Sequence, residues 1–190
     1  MSEAFPQIAV AALWLGWLLI WVVAARHVKT TRWREPPMSR MVHRAPLALA
    51  IFLLSTKHGM PPVLTDRFLP PSPALGIVGL ALVATGLGFA VWARWYLGTN
   101  WSSVVTLKDD HALVRTGPYK YVRHPIYSGL LLAVCGSAAV TGEWRGILAL
   151  GLTIFAILYK SRVEEARMRE TFSEYDAYCR ETATLIPFLF

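Results

Sequence analysis

The chain has 190 residues, of which 55% are hydrophobic and only 16% charged, and it carries a formal net charge of +7. That is more apolar and less charged than an ordinary soluble domain, so the composition excludes a water-soluble globular class and points to a membrane protein. The excess charge resides in basic loops beside apolar runs, which set topology and touch anionic lipid headgroups; no nucleic-acid motif accompanies them, and nucleic acid is not expected as a partner.

A helix needs about 20 apolar residues to cross a bilayer. Residues 5–25 meet this without a single charge, and Trp14, Trp17 and Trp21 stand among Leu, Ile and Val. A second run, 45–64, is shortened or broken at its far end by Lys57, His58 and the Pro61-Pro62 pair. The third, 74–97, carries Gly76, Gly79, Gly86 and Gly88, spacings that let another helix approach closely. The fourth begins at Pro125 and ends near Thr141; the fifth spans 144–159. With only Gly142 and Glu143 between them, the last two form a tight antiparallel hairpin. The pattern therefore predicts an all-α integral membrane protein of about five transmembrane helices.

Basic residues orient the spans. The loop after the first holds Arg26, Lys29, Arg32, Arg34, Arg40 and Arg44 against Glu35, whereas the loop after the second has Lys57 and Arg67 facing Asp66. The positive-inside rule then places the N-terminus outside, the first loop, the 94–124 segment and the C-terminal tail in the cytosol, and Glu143 and Arg145 outside. The N-terminus lacks a positive n-region and runs into a stretch too long for a signal peptide, so the first span reads as a retained anchor. Cys135 lies in a span and Cys179 in the tail, so neither a disulfide nor a metal site is implied. Between spans three and four lies a folded connector. In the tail, Met168, Phe172, Tyr175 and Cys179 recur at helical spacing, which predicts an amphipathic helix over 162–179.

The densest chemistry lies in GPYKYVRHPIYSG, residues 117–129. Pro125 suits a first helical turn and pushes His124 toward an extended conformation. The helix start beside Arg123 and Lys120 favours an anionic group, and Tyr119, Tyr121 and Tyr127 add flat faces and hydroxyls. Taken singly, each of these residues is an ordinary membrane-interface anchor; it is their density within nine residues that suggests a site. Glu164 and Glu165 return to the same membrane face across the hairpin, although each also has a helical neighbour, Arg167 or Arg169, to pair with.

The run HALVRTGPYKYVRHPIYSG (111–129), a helical hairpin, and RVEEARMRETFSEYDAYCRETATLIP (162–187) together resemble the isoprenylcysteine carboxyl methyltransferase family and its bacterial relatives, which are in turn similar to phospholipid methyltransferases. The resemblance covers 98–188 and implies a single membrane domain, with spans one and two in 1–73 and the catalytic part in 74–190. It implies S-adenosyl-L-methionine as cofactor on the cytosolic side, and a lipophilic or prenylated acceptor reaching it through the bilayer. Carried across by motif, His111, Ala112, Leu113, Val114, Tyr119, His124, Pro125, Ile126 and Tyr127 line the cofactor. Glu164 sits near its ammonium, with Glu165 the register-shifted alternative. Arg162, Lys160 and Arg123 are the cations available to an acceptor carboxylate. Two departures concern the acceptor: the family's substrate-carboxylate arginine falls near Lys160, with the arginine here at Arg162, and in the late tyrosine-tyrosine-arginine pattern Arg180 stands one residue early, with Glu181 in its place. The membrane implied is a bacterial or archaeal inner membrane, or the endoplasmic reticulum in a eukaryote. Competing readings are an N- or S-methyltransferase of phospholipids or other small lipophilic molecules, a sterol-reductase-like enzyme with a nicotinamide cofactor, and a membrane protein that keeps the scaffold without the activity.

Overall fold

The computed structural model describes residues 4–25, 31–34, 36–98, 106–108 and 113–187. In chain order these form α1 (Ala4–Ala24), β1 (Thr31–Arg34), α2 (Pro37–Ser55), the single turn α3 (Pro62–Thr65), α4 (Pro73–Leu97), β2 (Thr106–Lys108), a 3-10 turn (Gly117–Lys120), α5 (Pro125–Thr141), α6 (Trp144–Thr171) and α7 (Tyr175–Glu181). Among the described residues three helices are long and apolar enough to cross a membrane: Phe5–Ala24, Pro73–Leu97 and Trp144–Thr171. The 17-residue α5 is apolar but shorter.

The second apolar run behaves differently from its expectation. Its helix starts eight residues early, at Pro37, and stops at Ser55, so its first turns carry Arg40, His43 and Arg44. Pro37 provides the start, since a proline at the first helical position costs no hydrogen bond. The Pro61-Pro62 pair opens the separate turn α3 instead of extending the span.

Helices α4 and α5 form the centre of the bundle, and glycines set their separation. A Cβ on Gly86 would lie 2.5 Å from the Gly129 carbonyl oxygen and 2.6 Å from the Ala133 nitrogen, and one on Gly79 would lie 2.8 Å from the Gly136 oxygen. Backbone meets backbone along this seam, as small residues permit in membranes. Helix α1 lies against the pair through Trp14, whose indole donates to Ser137 Oγ at 3.0 Å, and through Val10, Leu13 and Trp17 on the Val83–Leu87–Ala133 core. Helix α2 packs on α6 through Ala50, Leu53 and Ala149.

The hairpin turns where the sequence suggests. Gly142 adopts the left-handed conformation (φ 63°, ψ 12°) that ends α5, and α6 begins two residues later. At this end the buried Arg145 pairs with Glu143 at 2.5 Å and donates to the carbonyls of Leu53 and Thr56, capping the last turn of α2.

Two features of the fold depart from the reading of the sequence. Among the described residues the two strands form an antiparallel ribbon in which β1 pairs with β2, Trp33 opposite Leu107 and Arg34 opposite Thr106, so the basic loop and the connector are joined. There is also no break between span five and the tail helix. Helix α6 runs 28 residues to Thr171, because no residue beyond Gly151 opposes helix and pairs such as Lys160–Glu164 and Glu165–Arg169 support it. The expected amphipathic helix is thus the end of α6 and, after a bend at Phe172, the short α7.

Candidate active site

The site is built at the end of the bundle where α5 begins. Gly117 has φ 58°, and any Cβ there would meet the Tyr96 ring at 2.4 Å, so glycine is required to turn the chain into the 3-10 turn. That turn buries Pro118 and Tyr119. Tyr119 packs with Ala90, Ala93 and Ile126, and Leu97, Val114 and Tyr127 border the cluster. Burial pushes the Tyr119 phenol above its ordinary range, and the nearby Glu164 carboxylate adds to this, so it stays a neutral donor. Its carbonyl oxygen accepts the Tyr178 hydroxyl at 2.7 Å.

Pro125 takes the first helical position of α5. His124, at φ −125° and ψ 59°, stops short of a fully extended conformation. Its N–H is held by the Thr184 carbonyl at 3.1 Å, and its ring lies between two carboxylates. Nδ1 stands 3.4 Å from Glu164 Oε2, and Nε2 stands 3.3 Å from Glu165 Oε1. The ring stacks on Tyr127 at 5.4 Å and 7°. Burial alone would lower the His124 pKa; hydrogen bonds to Glu164 and Glu165 and their charges outweigh it and hold the imidazole above its ordinary value. With both ring nitrogens facing acceptors, the protonated form satisfies both contacts.

Glu164 gathers three partners. Tyr127 donates its hydroxyl to Oε1 at 2.7 Å, Lys160 Nζ lies 3.8 Å from the same oxygen, and His124 faces the other. Lys160 also sits 5.3 Å above the Tyr127 ring. Arg123 is placed differently from Lys160 and Arg162. Its guanidinium donates to Glu165 at 2.8 Å, to the carbonyls of Cys179 and Thr182, and to Thr184 Oγ1 at 2.7 Å. Arg162 is exposed beside a cleft of about 390 Å3 lined by Leu158, Ser161, Glu165, Thr184, Leu185 and Ile186.

The structure therefore brings together Tyr119, His124, Pro125, Ile126, Tyr127, Lys160, Glu164 and Glu165. Val114 joins them at the edge of the Tyr119 cluster, and the neighbouring Leu113 is half-buried. His111 and Ala112 lie outside the described residues. Sequence reasoning missed the tail. Residues 182–184 run alongside 121–124, with Arg123 N–H donating to Ala183 at 2.9 Å and Ala183 N–H to Tyr121 at 3.1 Å, while Ser128 Oγ donates to the Leu185 carbonyl. The only signal was the Thr182-Ala183-Thr184 stretch before Leu185-Ile186. Among the described residues no group of three or more His, Cys, Asp or Glu side chains is placed to hold a metal ion.

A helical membrane bundle with a carboxylate, an imidazole and tyrosines gathered at one helix start is the class of protein that the fold and site define. The profile of the phospholipid methyltransferase family matches residues 75–175, more than half of the chain, and the protein belongs to that family. It is 34% identical over 122 residues to the protein-S-isoprenylcysteine O-methyltransferase of Saccharomyces cerevisiae (60% of this chain, 49% of the relative). It is 27% identical over 146 residues to a probable enzyme of the same name from Oryza sativa subsp. indica (73% and 76%). A cobalt-zinc-cadmium resistance protein, CzcN, of Cupriavidus metallidurans is 30% identical over 115 residues (60% and 48%). The chain spans about half the length of the first of these curated relatives. Its fold is similar to that of a eukaryotic intramembrane Ras methyltransferase, isoprenylcysteine carboxyl methyltransferase, with a TM-score of 0.51 at 21% identity, over 80% of this chain and 52% of that one.

Proposed function

We propose that this protein is an integral-membrane methyltransferase that uses S-adenosyl-L-methionine to methylate a lipophilic acceptor, foremost the carboxylate of an isoprenylcysteine-type molecule. The observation that carries this reading is the Glu164 carboxylate, held by Tyr127, His124 and Lys160 beside the buried Tyr119. The donor set fits the cofactor: an anionic oxygen pair for its ammonium, aromatic faces for its base and a helix start for its carboxylate. When bound, the cofactor supplies an electrophilic methyl group.

The chain's own residues hold and orient the reactants. Methyl transfer is an in-line displacement, so alignment and exclusion of water are the main requirements. Glu164 and the His124–Tyr127 stack fix the donor side, and Tyr119 with Ile126 and Ala90 closes it against water. An acceptor carboxylate is already ionised near neutral pH and needs a cation, for which Lys160, beside Glu164, and Arg162, exposed at the cleft, are the two candidates on α6. Arg123 is committed to Glu165 and the tail.

In this reading five helices, α1, α2, α4, α5 and α6, traverse the bilayer, with the N-terminus outside and the site in the cytosol, as the basic loops indicate. The acceptor arrives through the bilayer of an inner membrane, or of the endoplasmic reticulum in a eukaryote. The match to the phospholipid methyltransferase family favours a second reading, an amine acceptor on a phospholipid. There a proton must leave, and one of the two glutamates beside His124 is the group that would receive it.

The test is to incubate the purified protein with methyl-labelled S-adenosylmethionine and a panel of lipophilic carboxylates, thiols and amines. A labelled ester is expected. Label on amines alone would favour the second reading, and transfer to none of them would overturn both.

A further inference from the structure

The two adjacent glutamates of α6 are not equivalent. Both approach the His124 ring, one at each nitrogen, but their remaining partners differ in kind. Glu164 is joined by Tyr127, which packs against the Tyr119 cluster, and by Lys160. Glu165 faces Arg123 at 2.8 Å, with Arg169 at 3.4 Å on its other oxygen. Arg123 in turn is fixed by the Cys179 and Thr182 carbonyls and by Thr184 Oγ1. Charges thus alternate along a line from the tail inward: Arg123, Glu165, His124, Glu164.

We infer that Glu165 and Arg123 are positioning residues: Glu165 orients the His124 ring so that it fixes Glu164, and Arg123, braced by the tail at 182–185, holds Glu165 in place. The inference rests on the proposed function in taking Glu164 as the cofactor's carboxylate, and it assigns Glu165 a different task. It follows from geometry. A doubly donating imidazolium between two carboxylates cannot rotate without losing a contact, and the tail holds the arginine that anchors the outer carboxylate. The charged groups facing His124 are Glu164 and Glu165 from α6; Arg123 lies beside Glu165, and Lys160 approaches Glu164 and the Tyr127 ring stacked on His124.

The two positioning residues carry opposite charges, so neutralising them moves the His124 titration in opposite directions. Glu165→Gln removes an anion beside the ring and lowers its midpoint; Arg123→Gln removes a cation from the same neighbourhood and raises it. The titration reads whether both charges act on the ring, and the pH limit of cofactor binding reads whether they act through it; a purely structural role leaves that limit where it is. The experiment uses the full chain in detergent with labelled histidine, the resonance assigned by its loss in His124→Asn, and follows the titration by NMR in the wild type and both variants. In parallel, calorimetry measures S-adenosylhomocysteine binding across the same pH range. The expected result is a shift of opposite sign in the two variants. The upper pH limit of binding moves with each, and affinity falls by about tenfold for Glu165→Gln at the pH where its His124 has lost its proton.

Shifts of the same sign, or none, overturn the inference while leaving the proposed function intact. Conversely, if the wild type binds no S-adenosylhomocysteine the proposed function falls, and the positioning of a cofactor carboxylate falls with it, whatever the titrations show. Glu165→Gln is nearly isosteric, so its titration decides alone if Arg123→Gln fails to fold.

Discussion

Replacing Gly86 by alanine tests whether the α4–α5 seam sets the geometry of the site. The new Cβ would stand 2.5 Å from the Gly129 oxygen and 2.6 Å from the Ala133 nitrogen, both backbone atoms that no rotamer change can move. Restoring ordinary contact distance separates the two helices by about 1 Å, and overpacking of this kind costs about 1–3 kcal/mol. Alanine returns about 0.5–1 kcal/mol of helix propensity, leaving a net loss of up to about 2.5 kcal/mol. Gly88, two residues on, provides the control, because a Cβ there meets nothing within 4 Å. Gly88→Ala should therefore be neutral or stabilising by the propensity term alone. Thermal melts in one detergent, read by circular dichroism, should place Gly86→Ala below the wild type and Gly88→Ala at or above it. Since Ala90, Ala93 and Ile126 lie on the same two helices around Tyr119, cofactor binding should weaken only in Gly86→Ala. If the two variants melt together, backbone contact at the seam is not what holds α4 against α5.

The remaining predictions concern the polar groups. Tyr127→Phe removes the 2.7 Å hydrogen bond to Glu164 and should lower S-adenosylhomocysteine affinity by up to about tenfold in calorimetry, without a change in melting large enough to account for it. The raised pKa of His124 makes its contribution to stability complete below the ordinary histidine value of 6.5, and that contribution is lost as pH rises through the higher folded value. Melting of the wild type should thus decline above that ordinary value, and His124→Asn should flatten the decline. Arg145→Met strips the buried Glu143 of its partner and uncaps α2, which should cost about 3–5 kcal/mol in a melt; adding Glu143→Gln should recover part of it.

What the sequence revealed of this fold was what local rules decide. A proline at 125 and a glycine at 142 mark the ends of α5 through backbone geometry, and both boundaries are found there. The glycines of α4 announced a close neighbour, although only spatial register tells that Gly79 and Gly86 face α5, that Gly76 faces Pro6 and that Gly88 is open. The continuation of α6 carries no stop signal, since Lys, Arg, Glu and Ala follow the apolar layer; apolarity ends the span near Tyr159 while helix propensity carries the helix on to Thr171. Pairing of β1 with β2, and of the tail with 121–124, joins segments 50 or more residues apart, and short polar stretches do not advertise such partners. Glu164 and Glu165 illustrate the limit at the site itself. One step along a helix turns a side chain by about 100°, so sequence alone leaves either of them facing the ring, whereas the folded chain uses both, one per nitrogen. Arg123 reads in sequence as a free cation beside a helix start; its partners in the tail become visible only once the chain returns to it.

The central claim is that the Glu164 cluster holds a sulfonium amino-acid cofactor, and calorimetric titration of S-adenosylmethionine into the wild type and Glu164→Gln tests it most directly. The account predicts one-to-one binding by the wild type and a loss of about 10- to 100-fold in the variant, the scale of one charge-assisted hydrogen bond. Equal binding by both proteins, or none by a well-folded wild type, would contradict it.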